Sequence, residues 1–428
     1  MADPSVLVLE PESSGVELVR AAAGLGFTAH LLDRRPLSEL PPVVRDAVVT
    51  GTATYHRVET RSTAAVVEAA LRLAEQGGLR AVVPGFEYAV PAAAVVARRL
   101  GLPGITPEAA RALRDKRLMK ERLAAAGVAV APGVQVDARQ AGESDLREIA
   151  QRIGFPAVVK PVDGAGSLGV RRADDLGTLR RYLAASGPTD DMGKPVGERL
   201  LVESYVAGPE YSVEGYAGAA GAVVVAVTGK QLGPEPWFVE VGHTVDADLA
   251  AADRAALVET ARAAIGALGL TRGVFHLEAR LTPKGAVVLE VAARLGGDRI
   301  PRLVAAVHGH DLPQTMIRLL AGLPVVPPAD AAQDGPRTVA AARFLTAERT
   351  MRLPDPVGLA RALRSLPGCL EADVTAAPGA TVRPARDFRD RFGHVVLTAP
   401  DRGSLAAAVG EADRLVRAAL TAAAPDGG

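Results

Sequence analysis

The amino-acid sequence predicts a multidomain chain of α/β and α+β class, with an N-terminal parallel-sheet domain, a mixed central domain and a C-terminal α+β domain. Three observations carry this expectation. Short apolar runs alternate with helical patterns from Ser5 to about Leu102, a Gly-rich turn and a strand pair mark the middle, and the Pro-, Ala- and Asp-rich stretch Val326 to Gly335 sets off a last unit. The 428 residues suit about two to four domains. Lys plus Arg and Asp plus Glu both number 49, so the charge gives no footing for nucleic acid or a membrane surface and points to small-molecule substrates.

Val6 to Leu9, a helix from about Gly15 to Leu25, Thr28 to Leu32 and Ala81 to Val83 follow βαβ logic and place a first domain at 1–110. Within it, Glu10, Ser13, Ser14 and Gly15 read more readily as a plain strand-to-helix turn than as an anion site. Thr106-Pro107-Glu108 opens a helix that continues to Ala126 before Gly127 stops it. The central domain, 111–325, then takes strands at Ala157 to Lys160, Gly169 to Arg171, Leu200 to Glu203 and Tyr211 to Tyr216, and a helix at about Ala250 to Leu268. Gly273 to Arg280 and Ala286 to Ala292, joined by Thr282-Pro283-Lys284-Gly285, form a hairpin. Residues 337–428 make the last domain, and the Gly- and Pro-containing stretch 186–197 reads as a loop able to close as a lid.

The lone Cys369 lies far from every motif and fits a structural role in a reducing compartment. No basic-then-apolar leader opens the sequence, and its apolar runs fall well short of the ~20 residues of a spanning helix, so a cytoplasmic protein is expected.

Three segments carry chemistry. Lys160 leaves a strand directly before the Gly-rich turn near 163–169, so one cation and the backbone N–H groups around Gly164, Gly166 and Ser167 can surround a polyphosphate. In the segment Glu203-Ser204-Tyr205-Val206, a strand end can offer backbone groups to adenine, and Glu210 beyond the turn can accept from ribose hydroxyls. Glu278 and Glu290 lie on the two hairpin strands, where antiparallel register can put both carboxylates on one face as oxygen ligands for magnesium. Four residues on, Arg294 can fork onto a phosphate or a reacting carboxylate, and Gly296-Gly297 permits close approach of a substrate.

In this order the residues resemble the ATP-grasp superfamily over about 1–325. The resemblance implies an ATP-grasp fold with a Rossmann-like N-terminal domain. It also implies that Lys116 and Lys160 bind ATP phosphates, that Glu203 to Val206 frame adenine, that Glu210 holds ribose, and that Glu278 and Glu290 hold one or two magnesium ions, with manganese as a substitute. Trp237 to Thr244 together with Arg294 to Asp298 is similar, more narrowly, to the L-amino acid ligases that make dipeptides. That likeness implies that Glu240 and His243 line an amino-acid pocket and that Arg294 and Gly297 meet the reacting carboxyl region. Either Glu240 or His243 would handle the amine proton. Trp237 is divided between packing and pocket, and His276 is expected to support a metal ligand rather than to be one. The family implies a homodimer.

One position departs from the family pattern. Where many members carry Asn two residues after the second glutamate, this chain has Ala292. Water then fills that ligand position, Glu290 bridges both ions, or the second ion is weakly held. The expected reaction is amide formation through an acyl phosphate, with Lys160, Arg294, Glu240 and His243 as the catalytic set. The alternatives are a bicarbonate-using carboxylase and a noncatalytic ATP-binding regulator.

Overall fold

The computed structural model describes residues 3–185, 199–327 and 338–422. The 186–197 loop and most of the Val326 to Gly335 linker lie outside them. The chain forms two compact units: Met1–Val130 with Ser212–Val227 and Leu249–Ala331, and Ala131–Tyr211 with Thr228–Asp248 and Ala332–Gly428.

The first unit begins with β1 (Ser5–Leu9), α1 (Glu17–Gly24), β2 (Thr28–Asp33), α2 (Pro42–Val49), β3 (Ala53–Arg57), α3 (Thr63–Glu75), β4 (Leu79–Pro84) and α4 (Val90–Leu100). Its four strands are parallel in the order β3-β2-β1-β4. Val6, Leu7 and Val8 are all fully buried, which is why β1 reads as a continuous apolar run rather than an alternating one. The strand order reverses at β1, so a crevice opens beyond the carboxyl ends of β1 and β4. Backbone meets backbone there: a Cβ on Gly15 would come within 1.8 Å of the Gly85 carbonyl oxygen, so only glycine fits. Glu10 ends β1 in the left-handed region at φ 51° and accepts from Thr60 Oγ1 at 2.5 Å, and Ser13–Val16 is a tight 3-10 turn into α1.

The helix expected from Thr106 to Ala126 is two helices, α5 (Pro107–Ala112) and α6 (Lys116–Ala125). Asp115 breaks the run by capping α6, its carboxylate accepting from Leu118 N at 2.9 Å. The Ala and Leu pattern runs through the break, but a short acidic side chain competes for local backbone N–H groups.

The second unit opens with a small antiparallel sheet of β5 (Gly133–Asp137), β6 (Ala157–Pro161), β7 (Arg171–Ala173) and β8 (Arg199–Ser204), in the order β5-β8-β6-β7. Helices α7 (Glu143–Arg152) and α8 (Leu176–Ala184) enclose its core of Val136, Ile149, Ala157, Val159, Leu179 and Val202. The strand expected at Gly169 starts only at Arg171, because Gly166, Ser167 and Gly169 all have positive φ.

The chain then passes between the units within β9 (Glu210–Gly218) and again within β10 (Gly221–Leu232), followed by β11 (Glu240–Val245). In the first unit α9 (Ala251–Leu268), β12 (Gly273–Thr282), β13 (Gly285–Ala292), α10 (Ile300–His308) and α11 (Leu312–Leu320) complete the fold, with strands in the order β13-β12-β9-β10. In the second unit β11 lies between β10 and β14 (Val339–Phe344), with β15 (Met351–Leu353), α12 (Pro356–Arg364), β16 (Cys369–Val374), β17 (Ala380–Val382), β18 (Gly393–Ala399), α13 (Arg402–Ala419) and the short β19 (Thr421–Ala422) completing it around a core that includes Leu353, Leu363, Val395 and Leu397. Among the described residues no helix is long and apolar enough to cross a membrane.

Candidate active site

In the first unit, β12 and β13 place Glu278 directly opposite Glu290, with His276 opposite Ala292 two residues away on the same face. The register shifts immediately after Glu278 and leaves Leu289 unpaired. This bulge re-aims the strand next to the carboxylate pair. Leu277 and Val291 are fully buried, whereas the Glu278 and Glu290 side chains each keep 24% exposure, so the pair faces an opening. Lys116, the first residue of α6, brings Nζ to 2.8 Å from Glu290 Oε1. Lys120, one turn later, donates to the Val288 carbonyl at 3.0 Å and ties the helix to β13.

His276 bridges two carboxylates: Nδ1 lies 2.9 Å from Glu214 Oε1 and Nε2 lies 3.2 Å from Glu278 Oε1. Burial alone would lower its pKa, but the hydrogen bonds and charges of Glu214 and Glu278 outweigh it and raise the imidazole to about 9. An all-oxygen pair of opposed, partly open carboxylates beside a lysine suits a hard divalent cation carrying phosphate, so these residues fit magnesium. Ala292 contributes no ligand atom.

Arg294, just past β13, is held by Glu87. Its Nε pairs with Glu87 Oε2 and its Nη1 donates to the Leu295 carbonyl at 2.6 Å. Arg114, in the break between α5 and α6, donates to the other Glu87 oxygen at 2.7 Å. Glu87 follows β4 and its side chain is 1% exposed. Burial opposes its ionisation, yet Arg294, Arg114 and Lys116 together hold its pKa down at about 2. After Arg294 comes Gly296, where a Cβ would sit 3.0 Å from His276 Nδ1, and then Gly297, whose Cβ would face Ser13 Oγ at 3.5 Å. Asp298 and Arg299 follow with φ of 56° and 67°, an unusual backbone for non-glycine residues.

In the second unit, Lys160 at the end of β6 pairs with Glu203 on β8, Nζ to Oε2 2.6 Å, and both side chains are buried. The turn that follows holds Gly164 close to Pro161 and sets Gly166 at φ 63° against the Phe388 ring. The N–H groups of Ser204 and Tyr205 donate to the carbonyls of Pro132 and Pro156 at 3.0 and 3.1 Å. Those two N–H groups are engaged within the unit, which leaves the backbone carbonyls of the segment as its acceptors. Trp237 is half-buried, with the Arg171 and Arg386 guanidiniums 5.0 and 5.6 Å from its ring.

Glu240 and His243 are three apart on β11, a spacing that puts side chains on opposite faces of a regular strand. Here Lys230 pairs with His243 and Leu232 with Glu240, which leaves Val241 as an extra residue. The bulge returns Glu240 and His243 to one face, with Glu240 Oε2 3.5 Å from His243 Nε2. Lys230 shares that face. Its Nζ lies 2.6 Å from Glu240 Oε1 and 2.9 Å from Glu210 Oε1.

The structure thus gathers Lys116, Glu278, Glu290, Arg294 and Gly297 in the first unit, and Lys160, Gly164, Gly166, Ser167, Glu203 to Val206, Glu210, Glu240 and His243 in the second. Sequence reasoning passed over Glu87, Arg114, Glu214 and Lys230. The available signal was a lone charge among apolar neighbours, as with Glu214 on β9, which must be paired when buried.

Comparison with known proteins bears on this geometry. Residues 153–302 match the ATP-grasp domain, and residues 343–421 match the L-amino acid ligase C-terminal domain 2. The chain is 32% identical over 363 residues to the uncharacterized protein y4rH of Sinorhizobium fredii, covering 85% of this chain and 73% of that one. It is 28% identical over 330 residues to carnosine synthase 1 of Gallus gallus, covering 72% of this chain but only 34% of that protein. It is 26% identical over 325 residues to dapdiamide A synthase of Enterobacter agglomerans, covering 71% and 70%. The L-amino acid ligase of Bacillus licheniformis superposes over 100% of both chains with a TM-score of 0.78 at 18% identity, a likeness of fold. The chain belongs to the ATP-grasp superfamily, as a carboxylate-amine ligase carrying the C-terminal domain of the L-amino acid ligases.

Proposed function

We propose that the chain joins the carboxylate of an amino acid to an amine, converting ATP to ADP and phosphate through an acyl phosphate. The observation that carries this reading is the β11 face: a carboxylate and an imidazole 3.5 Å apart, beside a buried lysine. Such a face offers negative charge to an ammonium and a nitrogen base to an amine proton, neither of which bicarbonate requires. The names of the related carnosine and dapdiamide synthases point the same way.

In this reading a carboxylate oxygen attacks the γ-phosphorus of ATP, the bond to the β,γ-bridging oxygen breaks, and ADP leaves. The amine nitrogen then attacks the acyl carbon, phosphate leaves, and the nitrogen gives up a proton. Two anions must meet in the first step, so fixed positive charge is the main requirement. Lys116 and Lys160 supply it to the phosphates, and Arg294, clamped by Glu87, supplies it to the reacting carboxyl group beside Gly297. Glu278 and Glu290 would hold magnesium, which when bound neutralises phosphate oxygens. Glu240 receives an ammonium group, and His243 takes the amine proton. Gly164, Gly166 and Ser167 turn their backbone toward the phosphates, Glu203 to Val206 frame adenine, and Glu210 accepts from ribose.

The test is hydroxylamine trapping with Mg-ATP and single amino acids. Formation of a hydroxamate together with ADP is expected. AMP and pyrophosphate would overturn the acyl-phosphate scheme. ADP release that requires bicarbonate and no amino acid would favour a carboxylase. ATP binding without turnover across a broad acid panel would favour a regulatory protein, the reading that Ala292 motivates.

A further inference from the structure

Lys230 lies midway along a chain of charges within the second unit. Its side chain is 1% exposed, and its ammonium is shared by Glu210 at 2.9 Å and Glu240 at 2.6 Å. The two carboxylates come from β9 and β11, the strands on either side of β10, and each is the first residue of its strand. Both are more open than the lysine between them, at 9% and 20% exposure. A buried ionic triad is a poor device for stability alone, because well-packed apolar side chains of similar volume usually do as well or better. A triad whose cation is sealed and whose two anions are each more exposed than it is instead suited to hold those anions for ligands.

We propose that Lys230 is a positioning residue that links the ribose contact of the nucleotide to the amino-acid pocket by dividing one positive charge between Glu210 and Glu240. The inference rests on the reading of Glu210 as the ribose acceptor and Glu240 as the ammonium receptor. Each carboxylate limits how strongly Lys230 engages the other. When Glu240 loses its charge, the ammonium settles on Glu210 and competes there with the ribose hydroxyls for the same oxygens. Glu240 never touches the nucleotide in this scheme, yet it tunes how well the ribose is read. His243, paired in register with Lys230 and 3.5 Å from Glu240, extends the same line into the amino-acid pocket.

The test uses the full chain and two probes, Mg-ATP and Mg-2′-deoxy-ATP, with Mg-3′-deoxy-ATP as a second ribose probe. Equilibrium dissociation constants are measured for wild type, Glu210→Gln and Glu240→Gln, and the quantity read is the preference for ATP over each deoxy form. Both variants keep one lysine facing one carboxylate, so neither leaves a buried charge uncompensated. Glu210→Gln is expected to abolish the preference, and Glu240→Gln to reduce it about three- to tenfold, the usual size of coupling between groups in one ionic network. A merely structural effect of Glu240→Gln would weaken all three nucleotides alike and leave the ratio unchanged, which overturns the inference while the ribose assignment stands. If wild type shows no preference, or Glu210→Gln preserves it, the assignment of Glu210 itself falls and the inference with it. Should Glu240→Gln fail to fold, Lys230→Arg carries the test. A longer, forked cation at the same place must change the ratio by at least about threefold, and an unchanged ratio overturns the link.

Discussion

Glu87 and Arg294 form an enclosed ion pair in which Arg114 takes the second carboxylate oxygen at 2.7 Å. The pair joins the loop after β4 of the parallel sheet to the segment after the β12–β13 hairpin, two parts of the first unit that are far apart in sequence. A guanidinium that must meet a reacting carboxylate has to be held in one orientation, and a carboxylate behind it that is itself fixed by a second arginine does so.

Replacing Glu87 with Gln is expected to remove about 3–5 kcal/mol of stability, because two arginines are left facing an uncharged group in a buried place. Denaturant unfolding measures this. The pH dependence has a definite sign. The Glu87 pKa is depressed from 4.5 to about 2, so its contribution is fully present above about 4.5 and is lost as pH falls through about 2. The stability gap between wild type and Glu87→Gln should be constant at pH 6 to 7 and close as pH drops from about 4.5 toward 2. A gap that persists at pH 2 would show that the carboxylate charge is not its source.

Asp115→Ala should lower stability by about 1 kcal/mol, the usual effect of losing an N-cap, seen as a small shift in the unfolding midpoint. Because Asp115 starts α6 and Lys116 is its first residue, the same change should weaken ATP binding about two- to fivefold as the lysine loses its fixed starting point. Unaltered ATP affinity in a variant with the lower midpoint would separate the cap from the nucleotide site.

Gly166→Ala addresses the phosphate turn. The added Cβ would lie 3.3 Å from the Phe388 ring, and the residue would be held at φ 63°. Phe388 is 36% exposed and can yield, whereas the backbone angle cannot. Strain of about 1–3 kcal/mol is therefore expected from φ alone, enough to weaken ATP binding about tenfold. The double variant Gly166→Ala with Phe388→Ala should remain as weak as the single one. Recovery of affinity in the double variant would place the fault in the contact instead.

How far the sequence disclosed this site follows from how each part is specified. The hairpin was legible because Gly273 to Arg280 and Ala286 to Ala292 are two apolar, β-branched runs about one turn, and two-residue periodicity then puts Glu278 and Glu290 opposite each other. The parallel sheet was legible for the same reason, although β3, with polar Thr54, Tyr55 and His56, carries no such run. The nearness of Glu240 and His243 was not readable from spacing, since it depends on the extra Val241 and a bulge is set by pairing across strands. Lys230, Glu214 and Glu87 were missed because each is a single charge whose partner lies on another element: Glu214 meets His276 and Glu87 meets Arg294 and Arg114. The break between α5 and α6 was hidden by helix-forming residues on both sides. Asp115 carried the only local mark of it.

Glu278 and Glu290 face each other but are anchored differently, and this separates their expected effects. Glu278 leans on His276, which keeps its 2.9 Å contact with Glu214 if Glu278 is changed. Glu290 pairs at 2.8 Å with Lys116, whose side chain is only 5% exposed. Glu278→Gln, whose imidazole partner keeps Glu214, should therefore cost less stability than Glu290→Gln, which should lose about 1–3 kcal/mol with that ion pair. In the proposed reaction both changes remove a carboxylate from the magnesium ligands. Each should raise the magnesium concentration that half-saturates ADP release at least about tenfold, and EDTA should abolish turnover in the unaltered protein. Unfolding midpoints and magnesium titrations of the same preparations check both halves. Equal loss of stability in the two variants would contradict the asymmetric anchoring, and an unchanged magnesium requirement in either would remove that residue from the metal site.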